Sequence, residues 1–125
     1  MTVIAQTLPQ PTALPGLCHS TWAGQDEGLT QLSMWRQTMA PGAATPPHDH
    51  DCDEVVLCLS GHGELHLAGS VHRFGPASTV VLPRGRAHQI VNTGDTPLEI
   101  LGVFGSSPVA TRGPDGQALA LPWRS

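Results

Sequence analysis

Apolar positions along this chain recur with a period of two, over short stretches separated by turn residues. Successive side chains of an extended strand point to opposite faces, so that period is the mark of β structure. Leu32 to Met39 (LSMWRQTM) places Leu32, Met34, Arg36 and Thr38 on one face, and Ser33, Trp35, Gln37 and Met39 on the other. Glu54 to Leu59 (EVVLCL) is nearly continuous in apolar residues, and Thr79 to Leu82 (TVVL) reads as a buried strand. Glu64 to Leu67 and Val71 to Phe74 predict a hairpin about Ala68-Gly69-Ser70. His88 to Val91 is the next strand; Asn92-Thr93-Gly94-Asp95 is a hairpin signal, and Leu98 to Phe104 (LEILGVF) follows it. No segment carries helical periodicity. About seven or eight short strands, spaced by roughly ten residues, predict an all-β sandwich or barrel.

The strongly patterned region is 32–104, which predicts the barrel. Residues 1–31 predict an N-terminal arm and edge segment: Pro9, Pro11 and Pro15 suit extended backbone and defeat a helix, and Gly24 to Gly28 (GQDEG) reads as a turn. Residues 105–125 predict a tail packing on the barrel, with Trp22 and Trp123 fastening the two ends and Trp35 in the wall. A chain of 125 residues is one domain with a single core. Charged residues make up only 13%, and 14 Gly and 12 Pro carry the turns instead. A net charge of −4 with six basic residues and no run of Lys or Arg argues against a nucleic-acid partner. There is no lysine, which excludes Schiff-base chemistry. Three cysteines (Cys18, Cys52, Cys58) without CxxC spacing fit a reducing compartment better than a disulfide framework. No basic-then-apolar leader and no membrane-length apolar run is visible, so a cytoplasmic protein with no membrane contact is expected.

The candidate chemistry lies in Gly42 to Gly61 (GAATPPHDHDCDEVVLCLSG), where His48, His50 and Glu54 all occupy even positions. On one extended strand these side chains share a face, and His88, from Pro83 to Asn92 (PRGRAHQIVN), is a fourth candidate from another strand. Imidazole with carboxylate suits one divalent transition metal (Fe, Mn, Ni, Cu or Zn) rather than a hard Ca or Mg site. Three His and one Glu leave two positions open on an octahedral ion, where a small molecule or dioxygen could bind, and none on tetrahedral Zn.

These two stretches resemble the paired motifs of the cupin superfamily. The first motif reads G, five residues, H-x-H, three or four residues, E, six residues, G, and Gly42, His48, His50, Glu54 and Gly61 satisfy every position. The second reads G, five residues, P-x-G, two residues, H, three residues, N. Pro83, Gly85, His88 and Asn92 match it, while Ala77 stands where its opening glycine belongs. The resemblance implies a double-stranded β-helix (jelly-roll) barrel with metal near its mouth, held by His48, His50, Glu54 and His88, in a protein that forms a homodimer.

Around that site, Cys58 is placed inward by parity with Glu54, as a core residue or a thiol facing substrate. Arg36 and Gln37 lie on opposite faces of their strand, and Arg36 is the candidate anchor for a carboxylate substrate. Asp49, Asp51 and Asp53 face solvent or, at most, orient the ligand histidines. His19, His62, His66 and His72 are not ligand candidates. No triad, P-loop or dinucleotide motif is present. The leading expectation is a metal-dependent, dioxygenase-type enzyme acting on a small organic acid. Isomerase, decarboxylase or lyase chemistry is the first alternative, and a non-catalytic cupin that binds a sugar or small acid is the second. With neither Tyr nor Lys, acid–base work in the pocket would fall to Glu64, a spare histidine, Cys58 or metal-bound water.

Overall fold

The computed structural model describes residues 2–125. Its strands, in chain order, are β1 (Gln10–Pro11), β2 (Leu17–Ala23), β3 (Ser33–Met39), β4 (Asp49–His50), β5 (Glu54–Ser60), β6 (Gly63–Leu67), β7 (Ser70–Phe74), β8 (Thr79–Leu82), β9 (His88–Asn92), β10 (Leu98–Phe104) and β11 (Thr111–Arg112). One turn of 3-10 helix, Gln25–Glu27, sits between Gly24 and Gly28. Among the described residues no helix is long and apolar enough to cross a membrane.

The larger sheet runs β1-β2-β3-β10-β5-β8, every neighbouring pair antiparallel. Opposite it lies β7-β6-β9. The backbone between Ala44 and His48 extends that second sheet, bridging Ala44 to Val91 and His48 to His88 before β4 pairs with β11. Inner-face residues of both sheets interleave in one core: Trp35, Met39, Val56, Leu82, Leu98, Ile100 and Phe104 from the larger, Leu65 and Ile90 from the smaller. This is the jelly roll. Strict alternation of buried and half-buried positions in β3 and β10 follows from one face meeting the core and the other meeting water.

The structure changes the reading of two apolar runs. In β8, Val80 and Leu82 are buried while Thr79 and Val81 are exposed, Val81 at 67%. In β5, Val55 and Leu59 are exposed. An antiparallel sheet with a single packed face leaves its other face outside, so neither strand is buried on both sides.

Glycines punctuate the corners where the chain changes sheet. Gly61 has φ 87°, and a side chain there would collide with the Pro97 carbonyl. The corner before β8 carries Ala77 at φ 64°, in place of the glycine of the second motif. The turn is held regardless: Ala77 N–H donates to Cys58 O (3.2 Å) and Cys58 N–H to Ser78 O (3.0 Å).

A candidate metal centre in an apolar cavity

The three histidines and Glu54 reach the same point by a route other than one continuous strand. His50 ends β4, which pairs with β11 in a two-stranded sheet of its own, Asp51 to Asp53 form a bend, and Glu54 opens β5 in the larger sheet. The parity survives the crossing because both segments keep their even residues turned inward. His48 and His88 are locked as direct cross-strand partners, with His48 N–H donating to His88 O (3.0 Å) and His88 N–H to His48 O (2.8 Å). The ligand nitrogens of His48, His50 and His88 lie within 4.8 Å of one another. Glu54 Oε1 is 3.3 Å from His88 Nε2 and 3.7 Å from His50 Nε2.

Each imidazole is oriented through its other nitrogen. His48 Nδ1 donates to the Pro46 carbonyl (2.5 Å) and His88 Nδ1 to the Arg86 carbonyl (2.8 Å), while His50 Nδ1 shares a hydrogen bond of 3.1 Å with the Thr111 hydroxyl. A ring that donates from Nδ1 presents a bare Nε2, the form that ligates a metal. Burial pulls the His48 and His50 imidazoles down to about 4, with the neighbouring His88 adding to the effect, so both are neutral near pH 7. Burial pulls His88 down as well, but the Glu54 carboxylate 3.3 Å away outweighs that, and its pKa is raised. Glu54 Oε1 is buried without a hydrogen-bond partner among the described residues. A buried carboxylate oxygen in that state is costly unless something else meets it. Three imidazoles that turn Nε2 inward and an orphaned carboxylate oxygen are the donor set of a transition-metal site, and these residues fit one.

The centre lies in a small cavity of about 40 Å³. Trp35, Ile90, Ile100 and Phe104 form its apolar wall, and Leu121 and Trp123 of the C-terminal tail line it as well. Gln37 lines it too, 3% exposed. Gly102 lets this wall form: it pairs with Trp35 across the sheet, and the indole lies where a side chain at 102 would go.

Arg36 does not face the cavity. It lies on the outer face of β3, 3.3 Å from Glu99 of β10. The inward face of β3 carries Trp35, Gln37 and Met39, and sinking a guanidinium among them without a partner would be far costlier than sinking an amide. Cys58 points into the core but does not line the cavity. Its thiol, held protonated by burial, donates toward the Ser60 and Gly61 carbonyls (3.7 and 3.6 Å). Cys52, between the ligands, is likewise pushed up to about 11 by burial. Glu64 pairs with His66 and Arg73 on the β6–β7 hairpin, and His62 and His72 are exposed. None of the spare acid–base groups named from the sequence lines the cavity.

The aspartates hold loops rather than histidines. Asp49 binds Arg112 (2.9 Å), Asp51 accepts from Ala110 N–H (3.1 Å), and Asp53 accepts from Arg84 N–H (2.8 Å). The residues that do orient the site, Thr111 and the Pro46 and Arg86 carbonyls, carry no motif. Gln37 had one legible signal, its shared parity with Trp35 and Met39.

With this geometry in place, the comparisons with known proteins decide the family. The description "Auxin binding protein" belongs to the family whose sequence pattern matches residues 2–112. The chain belongs to the auxin-binding protein family. It is 38% identical over 113 residues to Auxin-binding protein 1 of Arabidopsis thaliana, covering 82% of this chain and 57% of that protein. It is 32% identical over 102 residues to Germin-like protein 5-1 of Oryza sativa subsp. japonica, covering 75% and 44%. Oxalate oxidase in complex with the substrate analogue glycolate superposes with a TM-score of 0.68 at 25% identity, over 79% of this chain and 56% of that one. The family and these neighbours place the chain in the cupin superfamily. The chain spans about half the length of the curated relatives it matches.

Proposed function

We propose that this protein binds a small carboxylic acid with an aromatic or apolar body, in a metal-dependent manner. The observation that carries this reading is the pairing of a three-histidine, one-glutamate centre with an apolar wall. His48, His50, His88 and Glu54 would hold a divalent transition metal, which when bound supplies a Lewis-acid contact for the carboxylate oxygens. Trp35, Phe104, Ile90 and Ile100 take the apolar body, and Leu121 and Trp123 exclude water from it. The name of the auxin-binding relatives, small-molecule binders by description, supports the same reading.

The test is thermal. Phenylacetate and naphthylacetate should raise the Tm of the metal-loaded protein and leave the chelator-treated protein unchanged. Equal shifts in both forms would sink the metal's role, and no shift in either would sink the reading.

A second reading, oxygen chemistry at the same centre, is favoured by one observation: the lining contains no titratable side chain besides His48, His50, His88 and Glu54. An isomerase needs a positioned proton donor or acceptor, whereas oxidation of a bound acid by dioxygen does not. Similarity to a germin-like protein and to oxalate oxidase supports it. Oxygen uptake by the Fe(II)- and Mn(II)-loaded protein with a panel of catechols, β-diketones and small acids separates turnover from binding. We also propose a cytoplasmic homodimer. The free thiols Cys18, Cys52 and Cys58 support the compartment, and the exposed Val55, Leu59 and Val81 on the outer sheet face support the dimer.

A further inference from the structure

Gln37 Oε1 is buried at the cavity wall with no partner among the described residues. Which end of an amide faces a ligand is decided by what holds the other end, and a chain of hydrogen bonds decides it here. Thr21 Oγ1 donates its only proton to the Arg124 carbonyl, 2.6 Å away. His19 Nε2, 2.8 Å from that hydroxyl, must therefore be the donor between them. A neutral imidazole protonated at Nε2 is bare at Nδ1, so Gln37 Nε2, 3.0 Å away, donates to it. The amide oxygen, with no partner among the described residues, is then left as an acceptor at the cavity wall.

The surroundings hold His19 in the neutral form and in place. It is 7% exposed, and burial lowers its pKa to about 4. Trp123 stacks on its ring at 4.1 Å and 9°, and Trp35 lies at 5.9 Å on another side. Arg124, whose carbonyl starts the chain, is itself tied to Asp26 and Gln25 at 3.3 Å. None of these residues is a metal ligand, and only Gln37 and the two tryptophans touch the cavity.

We propose that the Thr21–His19–Gln37 chain fixes a hydrogen-bond acceptor in the cavity wall, so that the preferred ligands carry an N–H or O–H donor in addition to the group that meets the metal. This rests on the reading of the site as a binding pocket for a small acid. His19 and Thr21 are positioning residues, and Gln37 is the contact. A ligand without a donor leaves Gln37 Oε1 buried and unpaired, a penalty that separates otherwise isosteric molecules by a factor of ten or more.

Two measurements test it. In the ligand-free, 15N-labelled protein at pH 7, imidazole nitrogen shifts should show His19 protonated at Nε2 and bare at Nδ1. Protonation at Nδ1 overturns the chain, whether or not any ligand binds. In the Zn-loaded protein, calorimetry would compare the 2-, 3- and 4-hydroxyphenylacetates with their fluoro counterparts, fluorine being similar in size and unable to donate. At least one hydroxyl isomer should bind about tenfold or more tightly than its fluoro partner. In Gln37→Leu that ratio should fall to about unity, with metal content unchanged. In His19→Leu, where the amide is free to turn, it should fall to within about threefold. Equal affinities in the unsubstituted protein overturn the selection for donors. Failure of both series to bind overturns the acid-binding reading itself, and the His19 tautomer then decides the chain alone.

Discussion

Thr111 does for His50 what backbone carbonyls do for His48 and His88, holding Nδ1 so that Nε2 faces the centre. It is the one member of that outer set that mutation can remove cleanly. Thr111→Val keeps the shape and deletes the hydroxyl, so zinc affinity measured by competition with a chelator should fall about tenfold or more, while His88→Ala should lower the bound metal itself. An unchanged zinc affinity in Thr111→Val would show that the hydroxyl does not set the ring. Arg36 supplies the contrast. Its contact with Glu99 is partly exposed, 31% and 25%, where ion pairs contribute at most about 1 kcal/mol. Arg36→Ala should therefore leave metal content and phenylacetate affinity as they were. A loss of affinity would return Arg36 to the site. The adjacent pair shows how site residues can be misjudged in sequence: a charge suggests function, but the parity of Trp35 and Met39 decides which side chain goes inside.

At the scale of elements, the turn before β8 is where this chain departs from its family pattern. A left-handed conformation costs a non-glycine residue about 1–2 kcal/mol, and a glycine gives back about 0.4–1 kcal/mol through its freer unfolded state. Ala77→Gly, at φ 64°, should then raise stability by about 0.5–1 kcal/mol, a Tm increase of about 2–4 °C. A lower Tm would mean that the Ala77 methyl contributes packing worth more than the backbone relief. β3, β5, β8 and β10 were legible because each has a dominant apolar face. β2 was not, since LCHSTWA buries His19 and Ser20 where a pattern reader looks for apolar residues. The four metal-ligand candidates were legible from spacing alone, while the change of sheet between His50 and Glu54 was not. Two strands of the same parity look alike whether or not a bend separates them.

For the molecule as a whole, buried imidazoles link stability to pH. His19, His48 and His50 have folded-state pKa values of about 4, against about 6.5 for an exposed histidine, each lowered chiefly by burial. Between those values the unfolded chain binds protons that the folded chain refuses, so each group withdraws stability as pH falls from about 6.5 toward about 4. His88 works in the opposite sense. Its raised pKa contributes stability at low pH that is lost as pH rises through the folded value, but it is one group against three. The chelator-treated protein should therefore show a Tm that declines steadily from about pH 6.5 to about pH 4. Zinc bound at the same imidazoles adds stability at pH 7, about 2.7 kcal/mol when its concentration is a hundredfold above Kd. Protons displace it as they load the ligands, so the zinc-loaded curve should start higher, fall more steeply and meet the metal-free curve in acid. Parallel curves would place the zinc away from the histidines, and a metal-free Tm flat across that window would mean that the three rings are not held neutral by the fold.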